Sequence, residues 1–125
     1  MLPLCRDQGV GVIPWSPLAR GRLTRDWDTS TARSETDPFG QNLYMTEDQQ
    51  VTEQVAEVAK ARGIPRAQVA MAWILGRPGI TAPIVGVTKP SHLDDAVAAL
   101  SVELTKQETE QLEKPYVPHR IAGHI

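Results

Sequence analysis

Two short, continuously apolar runs constrain this chain more than anything else in it. Val10-Gly11-Val12-Ile13 is bounded by Gly9 and Pro14, and Ile80-Thr81-Ala82-Pro83-Ile84-Val85 follows the break Gly76-Arg77-Pro78-Gly79. Runs of this length, without polar alternation and fenced by turn residues, suit strands buried on both faces. Helical patterns lie between them, so the two strands are expected to be parallel and joined by a right-handed crossover. Two parallel strands do not make an independent sheet. Most of their neighbours therefore belong elsewhere, and the chain reads as incomplete.

The helical patterns are readable one by one. Met1 to Gln8 resembles the last turns of a helix, stopped by Gly9. Thr46-Glu47-Asp48-Gln49 has the form of a capping box, followed by an apolar stripe of Val51, Val55, Val58 and Ala59, with Arg62 and Gly63 closing the helix. Pro65 suits the first turn of a second helix reaching Leu75. Its residues Val69, Ala70, Ala72, Trp73 and Ile74 leave almost no polar face, so it is expected to be buried, Trp73 included. Gly86-Val87-Thr88-Lys89-Pro90 turns into a third helix striped by Leu93, Ala96, Val97 and Leu100. A second capping box, Thr105-Lys106-Gln107-Glu108, opens a fourth helix that ends near Glu113. The segment from Thr24 to about Tyr44 is polar and aperiodic, the pattern of a functional lid or a disordered loop. The tail after Pro115 has no periodicity.

Composition excludes several classes. The 125 residues suffice for one ordinary domain but carry a net charge of −2, against the basic balance of a phosphate-backbone binder. No apolar run approaches the roughly 18 residues of a membrane span, and the N-terminus lacks the basic and apolar regions of a signal peptide. A single cysteine, Cys5, forms no internal disulfide and fits a reducing cytoplasm; it reads as a small apolar residue at a helix end. His119 and His124 have no third ligand at metal-site spacing, and no metal is expected. Glu103, Glu108, Glu110 and Glu113 read as a solvated helix face. Trp27 reads as a loop anchor.

Two motifs carry chemistry. The first is Val10-Gly11-Val12-Ile13-Pro14-Trp15-Ser16-Pro17-Leu18-Ala19-Arg20-Gly21-Arg22-Leu23, and the second is Pro83-Ile84-Val85-Gly86-Val87-Thr88-Lys89-Pro90-Ser91-His92-Leu93-Asp94-Asp95-Ala96. Together, in this order and at this spacing, they resemble the seventh strand with its loop and the eighth strand with its phosphate-binding turn in the aldo-keto reductases. The resemblance covers nearly the whole chain. It implies an α/β fold, a partial (β/α)8 TIM barrel made of the last two βα units plus a C-terminal helix, over residues 1–125. A whole barrel needs roughly 200 residues or more. In that family Met1 falls at an interior position, as in a truncated reading frame or a gene fragment.

The resemblance further implies an NADP(H) site at the C-terminal ends of the last two strands. Trp15 matches the aromatic residue that stacks on the nicotinamide. Ser16, Pro17, Leu18 and Arg20 match the lining of the pyrophosphate, and Arg33 in the long loop matches a diphosphate clamp. Gly86 allows close backbone approach beside the adenosine phosphate. Thr88, at a helix start, matches a donor to the 2′-phosphate. His92 and Asp95 match contacts to the adenosine end. Ala96 stands where many members carry an adenine-binding Asn, and Arg20 where some carry a smaller residue. Lys89 is either a phosphate partner or a solvent-facing lysine. For Trp15 the plain alternative is a core aromatic at a strand end.

The family's Tyr proton donor, with its Asp, Lys and His, comes from the first half of the barrel. Tyr44 and Tyr116 lie outside that context, so no catalytic residue is assigned. The parent activity implied is NADP(H)-dependent reduction of an aldehyde or ketone, a small carbonyl substrate, with this segment holding the cofactor and inactive alone. A non-catalytic nucleotide-binding module, of the kind that serves as a channel subunit, is the main rival. Exposed strand edges favour self-association. A third reading, helix-turn-helix DNA binding by the helices either side of Gly63-Ile64, fails on its would-be recognition helix, which has one polar residue, Gln68, after Arg66. A gel shift with duplex DNA at low salt is expected to show no retarded band, whereas a salt-sensitive complex would revive the DNA reading.

Overall fold

The computed structural model describes residues 1–31, 35–41 and 43–119. Helix α1 (Leu2–Asp7) ends at Gly9, as expected, and leads into the first extended segment. A 3₁₀ stretch, Ala19–Thr24, and a single helical turn, α2 (Pro38–Gln41), punctuate the long loop. Then come α3 (Asp48–Arg62), α4 (Arg66–Leu75), α5 (Pro90–Ala98), a 3₁₀ turn at Ala99–Ser101, and α6 (Lys106–Glu113).

The core lies among the helices. Val55, Val58 and Ala59 of α3, Val69 of α4 and Leu112 of α6 form one buried cluster, with Leu23, Ile64, Trp73 and Leu104 packed against it. Val69 is fully buried at its centre. Helix α4 packs against α3, α5 and both 3₁₀ segments, which explains its almost wholly apolar sequence. It buries Val69, Ala70, Met71 and Ala72 in succession. The joint between α3 and α4 is tight because Gly63 adopts φ +66°. Its N–H bonds to the Lys60 carbonyl and that of Ile64 to the Ala59 carbonyl, a Schellman closure that a side chain at residue 63 would strain.

Several expectations need correction. Among the described residues neither apolar run forms a ladder strand; the two are extended segments joined by one parallel bridge, Trp15 to Ile84. The Thr81 N–H reaches the Val12 carbonyl at 2.8 Å and the Ile84 N–H the Pro14 carbonyl at 2.8 Å. The Val12 N–H goes instead to the Thr81 hydroxyl at 3.0 Å. Pro14 and Pro83 contribute no N–H, and among the described residues no third segment bridges to the pair. The parallel sense of the pair is as expected; its regularity is not.

The Thr46 capping box does not form. Helix α3 begins at Asp48 with Glu47 as its cap, because the Asp48 carboxylate itself reaches back to the Met45 N–H at 2.9 Å. Pro65 sits just before α4, not within its first turn. The stripe of α5 is not core: Leu93, Val97 and Leu100 are exposed. Trp73 is only half-buried, its indole N–H donating to Glu113 Oε1 at 3.0 Å. The tail also makes a specific contact, His119 Nε2 lying 2.8 Å from Asp48 Oδ1.

Two of the four glutamates expected to face solvent join helices. Glu113 also accepts from Arg77 at 2.6 Å. Glu108 takes both nitrogens of an Arg62 fork, at 2.5 and 2.6 Å, and completes the Thr105 capping box, which forms as expected. The Arg62 hydrogen bonds, helped by those from Thr105 and opposed by desolvation, hold the Glu108 carboxyl at about 2. A carboxyl whose pKa is depressed on folding contributes its full stability above its unfolded pKa and loses it as pH falls towards the folded value. Glu108→Gln is expected to lower stability by about 1 kcal/mol at pH 7. In thermal melts followed by circular dichroism, the two proteins should converge as pH drops from about 4.5 towards 2; an equal gap at both ends would contradict this role.

Candidate functional site

The bridge between the two extended segments positions the site. Because the segments run parallel, the chain leaves both at one end: Trp15 runs into the turn Ser16-Pro17-Leu18-Ala19-Arg20, and Ile84 into Gly86-Val87-Thr88. Most of the expected cofactor residues are brought to this end. Trp15 is 60% exposed.

The turn after Trp15 has unusual backbone geometry. Ser16, Ala19 and Arg20 take φ of 55°, 48° and 55°, and Gly21 follows at 88°. Left-handed conformations cost non-glycine residues roughly 1–2 kcal/mol each, and such outliers concentrate where the chain is held in a particular shape. Local hydrogen bonds fix that shape. The Arg20 N–H donates to Ser16 Oγ at 3.1 Å, that of Ala19 to the Ser16 carbonyl at 2.9 Å and that of Gly21 to the Leu18 carbonyl at 2.8 Å. Ser16, Pro17, Leu18 and Arg20 are all half-buried.

The Arg20 guanidinium is committed within the chain. Its Nε and Nη2 both lie 2.5 Å from Asp37 Oδ2. Asp37 Oδ1 in turn accepts from the Gly40 N–H at 3.0 Å, so the second half of the long loop clasps the turn. Arg33 lies outside the described residues, as does His124.

On the second segment, an added methyl group at Gly86 would meet nothing within 4 Å. The chain's own packing thus gives no reason for glycine there and leaves the space beside it open. Thr88 Oγ1 and His92 Nδ1 are 3.4 Å apart, both exposed, at the approach to the nine-residue helix α5. Lys89, just before α5, is exposed as well. The Asp95 carboxylate accepts from Gln68 Nε2 at 2.9 Å and ties α5 to α4.

The sequence reading missed the aromatic and cationic surroundings of the turn. The Arg22 guanidinium lies 4.6 Å from the Trp27 ring and 5.1 Å from the Tyr44 ring. Burial pushes the Tyr44 phenol up, while Arg20 and Arg22 pull the other way. Arginines next to a Trp-bearing polar loop were the available signal, but no periodicity links residues 22, 27 and 44. Among the described residues no group of three His, Cys, Asp or Glu side chains is arranged to hold a metal ion, and no helix is long and apolar enough to cross a membrane.

Comparison with known proteins agrees with this geometry. The family model described as the Aldo/keto reductase family matches residues 1–116. Versiconal hemiacetal acetate reductase of Aspergillus parasiticus is 44% identical over 126 residues, which cover 97% of this chain and 36% of that protein. An aldo-keto reductase of Metarhizium robertsii is 40% identical over 125 residues, 96% of this chain and 33% of its own length. The glycerol dehydrogenase of Gluconobacter oxydans superposes with a TM-score of 0.71 at 23% identity, covering all of this chain (100%) and 40% of that one. The chain thus spans about a third of the length of these curated relatives.

If the left-handed turn carries strain, Ala19→Gly should relieve it. Chemical denaturation is expected to show a gain of up to about 1 kcal/mol; a loss would mean that Ala19 is not held at positive φ in solution.

Proposed function

The chain belongs to the aldo/keto reductase family, and from that premise we propose that it forms the NADP(H)-holding end of a barrel that reduces an aldehyde or ketone to an alcohol. The observation that carries this reading is the exposed Trp15 ring at the end of the parallel pair, beside the open approach to Gly86. In the complete barrel the two segments would be the seventh and eighth strands, with cofactor at their C-terminal ends, where such barrels place their sites.

The residues fit the group. The flat face of Trp15 would orient the nicotinamide, and the fixed turn of Ser16, Pro17, Leu18 and Arg20 would line the pyrophosphate. Since Asp37 occupies the Arg20 side chain, the part of Arg20 in this lining is its backbone. Thr88 and Lys89 would meet the 2′-phosphate ahead of α5, which favours NADP over NAD. His92, and Asp95 if released from Gln68, would face the adenosine. Arg33 completes the proposal as a clamp on the diphosphate. Bound there, the nicotinamide would supply the hydride that the carbonyl carbon receives.

Among the described residues neither tyrosine is set up as a proton donor to accompany that hydride. Tyr116 is on the tail, and Tyr44 lies beneath a guanidinium with its phenol pushed up by burial. Orientation without a positioned acid gives binding and not turnover. Alone, then, the chain should hold cofactor weakly and reduce nothing. Its exposed Val10, Ile13 and Ile84 favour pairing with other copies. A cytoplasmic setting fits the lone cysteine.

Titration with NADPH, followed by quenching of tryptophan emission, tests this directly. Saturable quenching that is lost in Trp15→Ala is expected. Equal quenching in that variant, with its circular dichroism unchanged, would remove Trp15 from the cofactor site and the reading with it.

A further inference from the structure

We infer that residues 114–119 are a pH-sensitive strap, which His119 latches onto the same Asp48 carboxylate that fixes the joint between the long loop and α3. Helix α6 and the residues after it run back along α3 towards its start. Glu108 meets Arg62 at the far end of α3, and Gln111 Nε2 donates to Gln54 Oε1 at 3.0 Å midway. His119 then reaches Asp48, where α3 begins, its Nε2 lying 2.8 Å from Asp48 Oδ1. Both side chains of this pair are mostly withdrawn from solvent, at 25% and 17% exposure.

Apolar burial does not hold these residues in place. Beyond Leu112 no described residue is buried, and Tyr116 and Val117 present their side chains to solvent. The Tyr116 N–H turns back to the Glu113 carbonyl at 3.0 Å, a local bond that does not reach α3. The Tyr116 ring stacks on the imidazole with 6.0 Å between centres, so the two move together. Among the described residues, the contact that ties the strap to the start of α3 is therefore the His119–Asp48 pair.

The strength of that pair depends on charge. A histidine changes its charge within the range of about pH 5 to 8, and its protonated form gives a carboxylate a hydrogen bond roughly twice as strong as the neutral form does. Asp48 faces the imidazole from α3, Tyr116 faces it from the strap, and Glu47 is exposed beside Asp48. The positive end of α3 disfavours a cation, so the imidazolium is held there through Asp48. That carboxylate is shared, because its Oδ2 accepts the Met45 N–H at 2.9 Å. Its charge also reaches the neighbouring Tyr44 phenol, on which burial acts most and then the charges of Arg20, Arg22, Asp37 and Asp48. Release of His119 leaves the carboxylate to Met45 alone, so the protonation state of the strap is felt where the long loop enters α3. The strap stands without the cofactor reading.

The test uses the full chain and two readouts, the Met45 amide resonance in NMR spectra and the rate of chymotryptic cleavage after Tyr116. Both are followed from about pH 8.5 to 5.5, the range in which histidine charges. At the acid end the wild type should be cleaved at least about threefold more slowly than His119→Gln at the same pH, and the two rates should converge at the alkaline end. The wild-type Met45 amide should shift as the His119 ring titrates, and stay flat in His119→Gln. His119→Arg keeps a cation at both ends, so its cleavage should stay slow throughout, with Met45 flat as well. Circular dichroism of both variants should match the wild type, since the latch lies outside the helical core. Equal cleavage of wild type and His119→Gln at both ends, or a Met45 shift that persists in His119→Gln, would overturn the proposal.

Discussion

The Ile84 N–H bonded to the Pro14 carbonyl, together with the Thr81 N–H bonded to that of Val12, fastens two segments that lie 70 residues apart in the chain. These bonds make the segments parallel and set their register, so that Trp15 and the open ground beside Gly86 emerge at the same end. The site therefore depends on a short seam, with prolines on both sides and a threonine hydroxyl standing in for one backbone acceptor. Without it the aromatic ring and the turn before α5 would have no defined relation.

The seam is supported by a helical layer with different physics. There the stability comes from apolar burial around Val69, from the glycine-closed joint between α3 and α4, and from the Arg62–Glu108 fork that fastens α6 to α3. The extended pair has no comparable core. Val10, Ile13 and Ile84 present apolar surface to solvent, as do Leu93 and Val97 of α5 and Leu100 in the 3₁₀ turn after it. Apolar groups left in water contribute nothing to folding. The end proposed to hold cofactor is thus the less strongly held part, while the α3, α4 and α6 helices behind it share a buried core.

Much of the helical layer was legible in the sequence because local rules govern it. The Val51 to Ala59 stripe, the Gly63 stop and the Thr105 capping box each depend on residues within a few positions of one another, and they appear where expected. The Thr46 box failed for an equally local reason: Asp48 competes for the same role and wins. Errors grew where outcome depends on distant partners. The apolar run Ile80–Val85 reads as a strand, but a strand needs neighbours, and the chain supplies one bridge. The α5 stripe reads as core, yet nothing in the described structure covers it. Glu108 and Glu113 read as surface charges until folding brings Arg62 and Arg77 to them. At the candidate site, motif order singles out Trp15, Ser16 and Thr88, whereas Arg22 over Trp27 and Tyr44 becomes visible only in three dimensions.

The central claim is that a stable helical layer carries a weakly fastened pair of segments whose shared end receives the cofactor. Amide hydrogen exchange, measured with and without NADPH, tests it most directly. Without ligand, slow exchange should be confined to α3, α4 and α6, with Thr81 and Ile84 exchanging quickly. With NADPH, protection should rise at Ile84 and through residues 16–21 and 86–88, and change little in the helices. Unchanged exchange at the seam, or protection gained instead within the helical layer, would contradict the account.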